Sequence, residues 1–234
     1  MLFDKVQLLC RLGQEMKPIH MPVTKMQLHL PPVYPITDKK LAKSTSHYSI
    51  LKELVRGGAR MVQIRDKTTP IPELLQDLKR CVEFASKRNV SLILNDRCDL
   101  VLCSGASGVH LGCNDLPPEA ARSLLGRTRI IGFSTHSLQE VRRASLLPVQ
   151  YIGFGPVFKT STKENAHSVV GLQKLRKACT ESDVPVVAIG GIGLAQVVKV
   201  IEAGASSVAV ISDLMTAPDI ARRMQDFLDS ATAK

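Results

Sequence analysis

Tryptophan is absent from this 234-residue chain, and aromatic residues make up only 4% of it. A stacking platform for nucleic-acid bases needs aromatics interleaved with basic residues, and no basic run here carries them. No apolar stretch approaches the roughly 20 residues that a membrane-spanning helix requires. The six cysteines, at positions 10, 81, 98, 103, 113 and 179, show no zinc-ligand spacing and no dense disulfide framework. Reduced thiols in a cytoplasmic protein are the expectation. The glycine fingerprint of a dinucleotide-binding sheet is missing. So is any serine, cysteine or histidine constellation suited to covalent catalysis.

The chain has 44% hydrophobic residues and a formal net charge of +10, from 31 Lys+Arg against 21 Asp+Glu. That composition suits one large soluble domain with a substantial core. The positive excess reads either as a solvated basic surface or as a mouth that attracts phosphorylated small molecules. Neither nucleic acid nor membrane is expected as a partner, and a homo-oligomer is left open.

Eight short apolar runs alternate with amphipathic, helix-like stretches. The runs are Val33–Ile36, Met61–Ile64, Ser91–Leu94, Gly108–Leu111, Arg129–Phe133, Tyr151–Phe154, Pro185–Ile189 and Ser207–Ile211. They are unalternating, as strands buried on both faces of a parallel sheet are. The intervening helices are expected near 46–56, 71–88, 100–104, 117–125, 138–145, 171–180, 194–203 and 217–228. The turn into a strand recurs as Gly58-Ala59, Gly105-Ala106 and Gly204-Ala205. This recurrence favours a single (β/α)8 barrel over 31–234 rather than an open doubly wound sheet. Residues 1–30 stand outside the pattern as a short N-terminal extension. It could form an amphipathic helix, cover the barrel bottom or stay disordered; its basic bias permits a transit peptide, against which Asp4 and Glu15 argue mildly.

Polar residues gather just after the runs, where a barrel enzyme places its chemistry. In Gln63-Ile64-Arg65-Asp66-Lys67 strand alternation sends Gln63, Arg65 and Lys67 to the same side. An Arg fork and a Lys point charge there suit a phosphate or diphosphate. Asn95-Asp96 follows the third run and Asp115 the fourth. Two carboxylates at adjacent strand tips suit Mg²⁺ shared with substrate phosphate, although each Asp could instead cap the following helix. Thr160, Ser161, Thr162 and Lys163 form a second anion cradle in the longest loop of the core. Gly190-Gly191 and Ile211-Ser212 end the last two runs, where barrels frequently hold phosphate. His110 reads as a packed or hydrogen-bonded core histidine, and His136 could serve as an acid–base group. Cys113 reads as pocket wall.

Taken in order, these residues resemble the thiamine-phosphate synthase family. The resemblance covers about 33–228 and rests on Tyr34 to Thr37, Gln63-x-Arg65-x-Lys67, Asn95-Asp96, and Gly108-Val109-His110-Leu111-Gly112 with Asp115-Leu116-Pro117. It continues through Gly132-x-Ser134-x-His136, Gly155-Pro156-Val157-Phe158, Thr160-x-Thr162-Lys163, Ile189-Gly190-Gly191-Ile192 and Ile211-Ser212. Each piece is weak and the ordered set is highly specific.

The resemblance implies condensation of hydroxymethylpyrimidine diphosphate with a thiazole monophosphate, releasing diphosphate and giving thiamine phosphate. It also implies Mg²⁺ on Asp96 and Asp115, and a diphosphate held by Arg65, Lys67, Asn95, Ser134 and Lys163. Of these, Arg65, Lys67, Ser134 and Lys163 would carry catalysis. Gln63 would hold the pyrimidine, and Thr160, Thr162, Gly191, Ile211 and Ser212 the thiazole phosphate. Three positions depart from the family: Arg97 where a second acid is common, Cys113-Asn114 where Gln-Glu is usual, and Lys159 where Pro is usual. Two other readings of the same chain are a thiazole tautomerase working through His136 and a non-catalytic phosphate-ligand sensor.

Overall fold

In the computed structural model, residues 28–160 and 168–233 are described. Thr162 and Lys163, and residues 1–27 of the extension, lie outside them. The eight runs are eight parallel strands closed into one barrel: β1 (Val33–Thr37), β2 (Met61–Ile64), β3 (Ser91–Asn95), β4 (Gly108–Leu111), β5 (Ile130–Thr135), β6 (Tyr151–Phe154), β7 (Val186–Ile189) and β8 (Ser207–Val210). Each strand pairs with the next in sequence, and β8 closes on β1 through Val33 opposite Val208.

Nine helices wrap the barrel among the described residues: α1 (His47–Arg56), α2 (Ile71–Ser86), α3 (Cys98–Ser104), α4 (Pro118–Leu125), α5 (Leu138–Ala144), α6 (Gly171–Glu181), α7 (Val197–Glu202), α8 (Ser212–Met215) and α9 (Ile220–Thr232). Their starts follow local chemistry. Ser46 and Ser137 cap α1 and α5 by accepting from the amides of Ser49 and Glu140, and proline occupies the first turns of α2 and α4. The eighth unit differs from the single helix expected over 217–228. It holds the short α8 first, and α9 then starts at Ile220 because the Asp219 side chain accepts from the amide of Arg222. The expected helix over 194–203 opens as a 3₁₀ turn, Leu194–Gln196, before α7.

Two apolar clusters result. One fills the space between strands and helices; the other, with Tyr34, Ile36, Met61, Ile93, Ile130, Tyr151, Val187 and Ala209, fills the barrel interior. Leu28 and Leu30 pack against the interior cluster just ahead of β1. This part of the extension therefore covers the N-terminal end of the barrel, opposite the mouth. No helix among the described residues is long and apolar enough to cross a membrane.

A buried arginine ties the lower ends of β5 and β6 to α4. Arg122, 9% exposed, donates to the carbonyls of Gly126 (2.7 Å), Arg129 (2.8 Å) and Pro148 (3.2 Å) and to Gln150 Oε1 (2.7 Å). Gln150 Oε1 also accepts from the Ile131 amide. Replacing Arg122 by Met keeps the bulk and leaves those acceptors facing an apolar side chain, a loss of about 2–3 kcal/mol. Urea titration of R122M measures it, and unchanged stability would contradict the assignment.

Candidate active site

The C-terminal strand ends surround a cavity of ≈230 Å³. Gln63, Arg65, Lys67, Asn95, Asp96, Asp115, Ser134 and Ile211 line it, together with Cys113, Asn114, His110 and His136. Strand alternation thus delivers Gln63, Arg65 and Lys67 to one cavity. Gly191 and Ser212 border a neighbouring open groove of ≈850 Å³ instead. Thr160 lies in the loop after β6 and lines neither space.

Neither candidate aspartate caps a helix. The cap positions of α3 and α4 are Arg97 and Pro117, both without a side-chain capping bond. Asp96 occupies a left-handed backbone conformation, φ 64°, which a short polar side chain tolerates better than most. Its carboxylate stands 3.8 Å from Lys67 Nζ. Asp115 turns back on its own loop, where Oδ2 accepts from the Gly112 amide at 2.6 Å. Among the described residues no group of three or more His, Cys, Asp or Glu side chains could hold a metal. Two carboxylates with one Lys beside them suit a hard cation that takes its remaining oxygens from water and phosphate.

Across the cavity floor runs a chain of hydrogen bonds that the sequence reading did not anticipate. Gln63 Nε2 donates to Tyr34 Oη (3.1 Å), and Tyr34 Oη lies 2.9 Å from Tyr151 Oη. Tyr151 Oη lies 3.1 Å from His110 Nδ1, and His110 Nε2 lies 2.9 Å from Ser134 Oγ. One proton order satisfies every member: Tyr34 donates to Tyr151, Tyr151 to Nδ1, and Nε2–H to Ser134. The Ser134 proton is then left for a ligand. Burial pushes both phenols above their ordinary range, so they stay protonated. The chain joins β2, β1, β6, β4 and β5. A tyrosine inside an apolar parallel strand needs a partner for its hydroxyl, and that was the available signal. His110 is hydrogen-bonded as expected, and it also forms part of the cavity wall. The His136 ring donates from Nδ1 to the Gly155 carbonyl at 2.7 Å.

Glycine makes room for this arrangement. A Cβ on Gly132 would overlap the Tyr151 ring. At the other side of the mouth, Gly190 and Gly191 have φ of 100° and 63°; side chains there would meet Pro156 and the Lys159 carbonyl. The β7 loop is therefore pressed against the loop after β6. Asp213 holds it from the far side, accepting from the Leu194 amide (3.1 Å) and from Arg223 Nε (2.6 Å).

Behind the cavity, Asp66 points away from Arg65 and Lys67 with its side chain 2% exposed. It accepts from His47 Nε2 at 3.0 Å, and His47 Nδ1 lies 2.8 Å from Thr37 Oγ1. Burial would raise the Asp66 carboxyl, but hydrogen bonds from Thr69, Thr68 and His47 prevail and hold it well below the usual carboxylate range. Burial lowers the His47 imidazole despite Asp66 beside it.

Comparison with known proteins gives a consistent result. A family model described as thiamine monophosphate synthase matches residues 33–214. The chain is similar to thiamine-phosphate synthase 1 of Aquifex aeolicus, 40% identical over 188 residues that cover 80% of this chain and 87% of the relative. It is likewise 40% identical over 197 residues to the thiamine-phosphate synthase of Methanospirillum hungatei, covering 84% of this chain and 96% of that one. Among solved structures it resembles the thiamine phosphate pyrophosphorylase from Pyrococcus furiosus, with a TM-score of 0.77 and 31% identity over 90% of this chain and 99% of the other.

Two outcomes follow from the geometry. Gly132→Ala should displace the Tyr151 ring, cost about 1–3 kcal/mol by overpacking and lower activity, as urea titration and a turnover assay will show. A fully stable, fully active variant would contradict that packing. In acid, the unfolded chain takes up a proton at His47 below its ordinary pKa of 6.5 while the folded chain resists it. Stability therefore falls as pH drops through that range, and falls again below the ordinary Asp66 value of 3.8. Denaturant titration of His47→Gln should flatten the first limb, and Asp66→Asn the second; wild-type-like slopes would refute the assignment.

Proposed function

We propose, because the chain belongs to the thiamine monophosphate synthase family and is a transferase of thiamine biosynthesis, that its mouth joins two phosphorylated substrates in two separate halves. Arg65, Lys67, Asn95 and Ser134, with Lys163, which follows β6 in the sequence, hold the diphosphate of hydroxymethylpyrimidine diphosphate. Gln63 holds the pyrimidine. Thr160, Thr162 and the backbone of Gly191, Ile211 and Ser212 hold the phosphate of the thiazole. The observation that carries this reading is the convergence of Gln63, Arg65, Lys67, Asn95, Asp96, Asp115 and Ser134 on one cavity.

Asp96 and Asp115 would hold Mg²⁺, which when bound supplies positive charge to the leaving diphosphate. Arg65 and Lys67 add fixed cations to the diphosphate, and the Ser134 hydroxyl donates to it. The methylene–oxygen bond breaks with its electron pair going to the diphosphate. The thiazole nitrogen then gives its lone pair to the exposed methylene carbon, forming the new carbon–nitrogen bond. No protein nucleophile is required. Catalysis consists of neutralising the leaving group and aligning the two reactants.

The test supplies both substrates and Mg²⁺ to the purified protein and measures thiamine phosphate. Asp96→Ala and Asp115→Ala should each lose on the order of 10²–10³-fold in turnover, the cost of weakening the hold on the cation that neutralises the leaving group. Unimpaired turnover in chelator would remove the metal role. Absence of product, together with proton exchange on the thiazole phosphate that vanishes in His136→Ala, would assign the chain to tautomerase chemistry.

A further inference from the structure

Arg65 and Lys67 belong to a short segment whose middle residue faces the other way. Asp66 accepts from five donors: Thr69 Oγ1 (2.6 Å), the amides of Thr68 and Thr69 (2.9 Å each), His47 Nε2 (3.0 Å) and Thr68 Oγ1 (3.5 Å), and it pairs ionically with Lys39 Nζ at 3.1 Å. A carboxylate has about four lone-pair sites, so this one is saturated. It cannot swing round to neutralise Arg65 or Lys67. Lys39, itself donating to Thr69 Oγ1 at 2.6 Å, offsets its charge, so no net negative field stands behind an incoming anion. On the neighbouring strand Thr37 Oγ1 accepts from the Arg65 amide at 3.4 Å and in turn contacts His47 Nδ1. The peptide from 65 to 69 is thus anchored on both sides of the two cations.

We propose that Asp66, through its buried cluster with His47, Thr37, Lys39 and Thr69, is a positioning residue that holds Arg65 and Lys67 in place for the diphosphate. This rests on the reading that those two cations bind the diphosphate. Long cationic side chains lose considerable rotamer freedom on gripping an anion. A backbone already locked beneath them restricts that loss to the side chains. Loosening it must weaken diphosphate binding without disturbing the thiazole half of the mouth, which other strands build.

Steady-state kinetics on the full chain, varying each substrate in turn, tests the assignment. Asp66→Asn keeps the shape and turns one acceptor into a donor facing N–H groups. It should raise KM for the pyrimidine diphosphate about tenfold and leave KM for the thiazole phosphate unchanged. Thr69→Val removes one donor and should move the same constant in the same direction by about threefold. It keeps the question open to measurement if Asp66→Asn does not fold. Parallel changes in both KM values, or none, would overturn the positioning role. Arg65→Ala, measured alongside, separates the two layers. If it raises the diphosphate KM while Asp66→Asn and Thr69→Val do not, only the positioning role fails. If Arg65→Ala leaves that KM unchanged, the reading of the site fails and takes the positioning role with it.

Discussion

Polar groups in the apolar interior of a closed parallel barrel are costly unless they find hydrogen-bond partners. Here the run from Gln63 through Tyr34, Tyr151 and His110 to Ser134 meets that condition. It crosses the floor of the mouth and engages five strands, so the orientation of Gln63 at one side depends on that of Ser134 at the other. Gly132 exists at its position because the Tyr151 ring needs the space. The cavity above inherits its shape from this floor, and its charged rim from the strand tips.

The rim is organised by aspartates used in two different ways. Asp96 and Asp115 line the cavity. Asp66 and Asp213 stand behind it, each taken up by donors of the protein, one under the β2 tip and one under the β7 loop. The four carboxylates are chemically identical, and their surroundings separate the roles. Those at the mouth are partly open; those behind are paired with Lys39 and Arg223.

The fold was legible because parallel strands buried on both faces leave unbroken apolar runs, and eight of these matched the observed strands within about two residues at each end. The cations on the β2 tip were legible from alternation alone. The floor was not, because Tyr34 and Tyr151 sit 117 residues apart and their pairing appears only when β1 and β6 face each other across the barrel. The Asp66 cluster was hidden for a similar reason: its partners come from α1 and from the loops after β1 and β2, and Asp66 reads in sequence as one more charge beside Arg65 and Lys67. The division of the last unit into α8 and α9 depended on Asp219 acting as a cap, which the helical periodicity across 217–228 concealed.

The central claim is that the mouth has two distinct anion sites, of which only one depends on a metal. Calorimetric titration of the purified protein with inorganic diphosphate and, separately, with thiazole phosphate tests it most directly. Diphosphate should bind strongly with Mg²⁺ and weakly in chelator, while thiazole phosphate should bind equally in both and add to, rather than compete with, bound diphosphate. Diphosphate binding indifferent to Mg²⁺, or competition between the two ligands, would contradict the account.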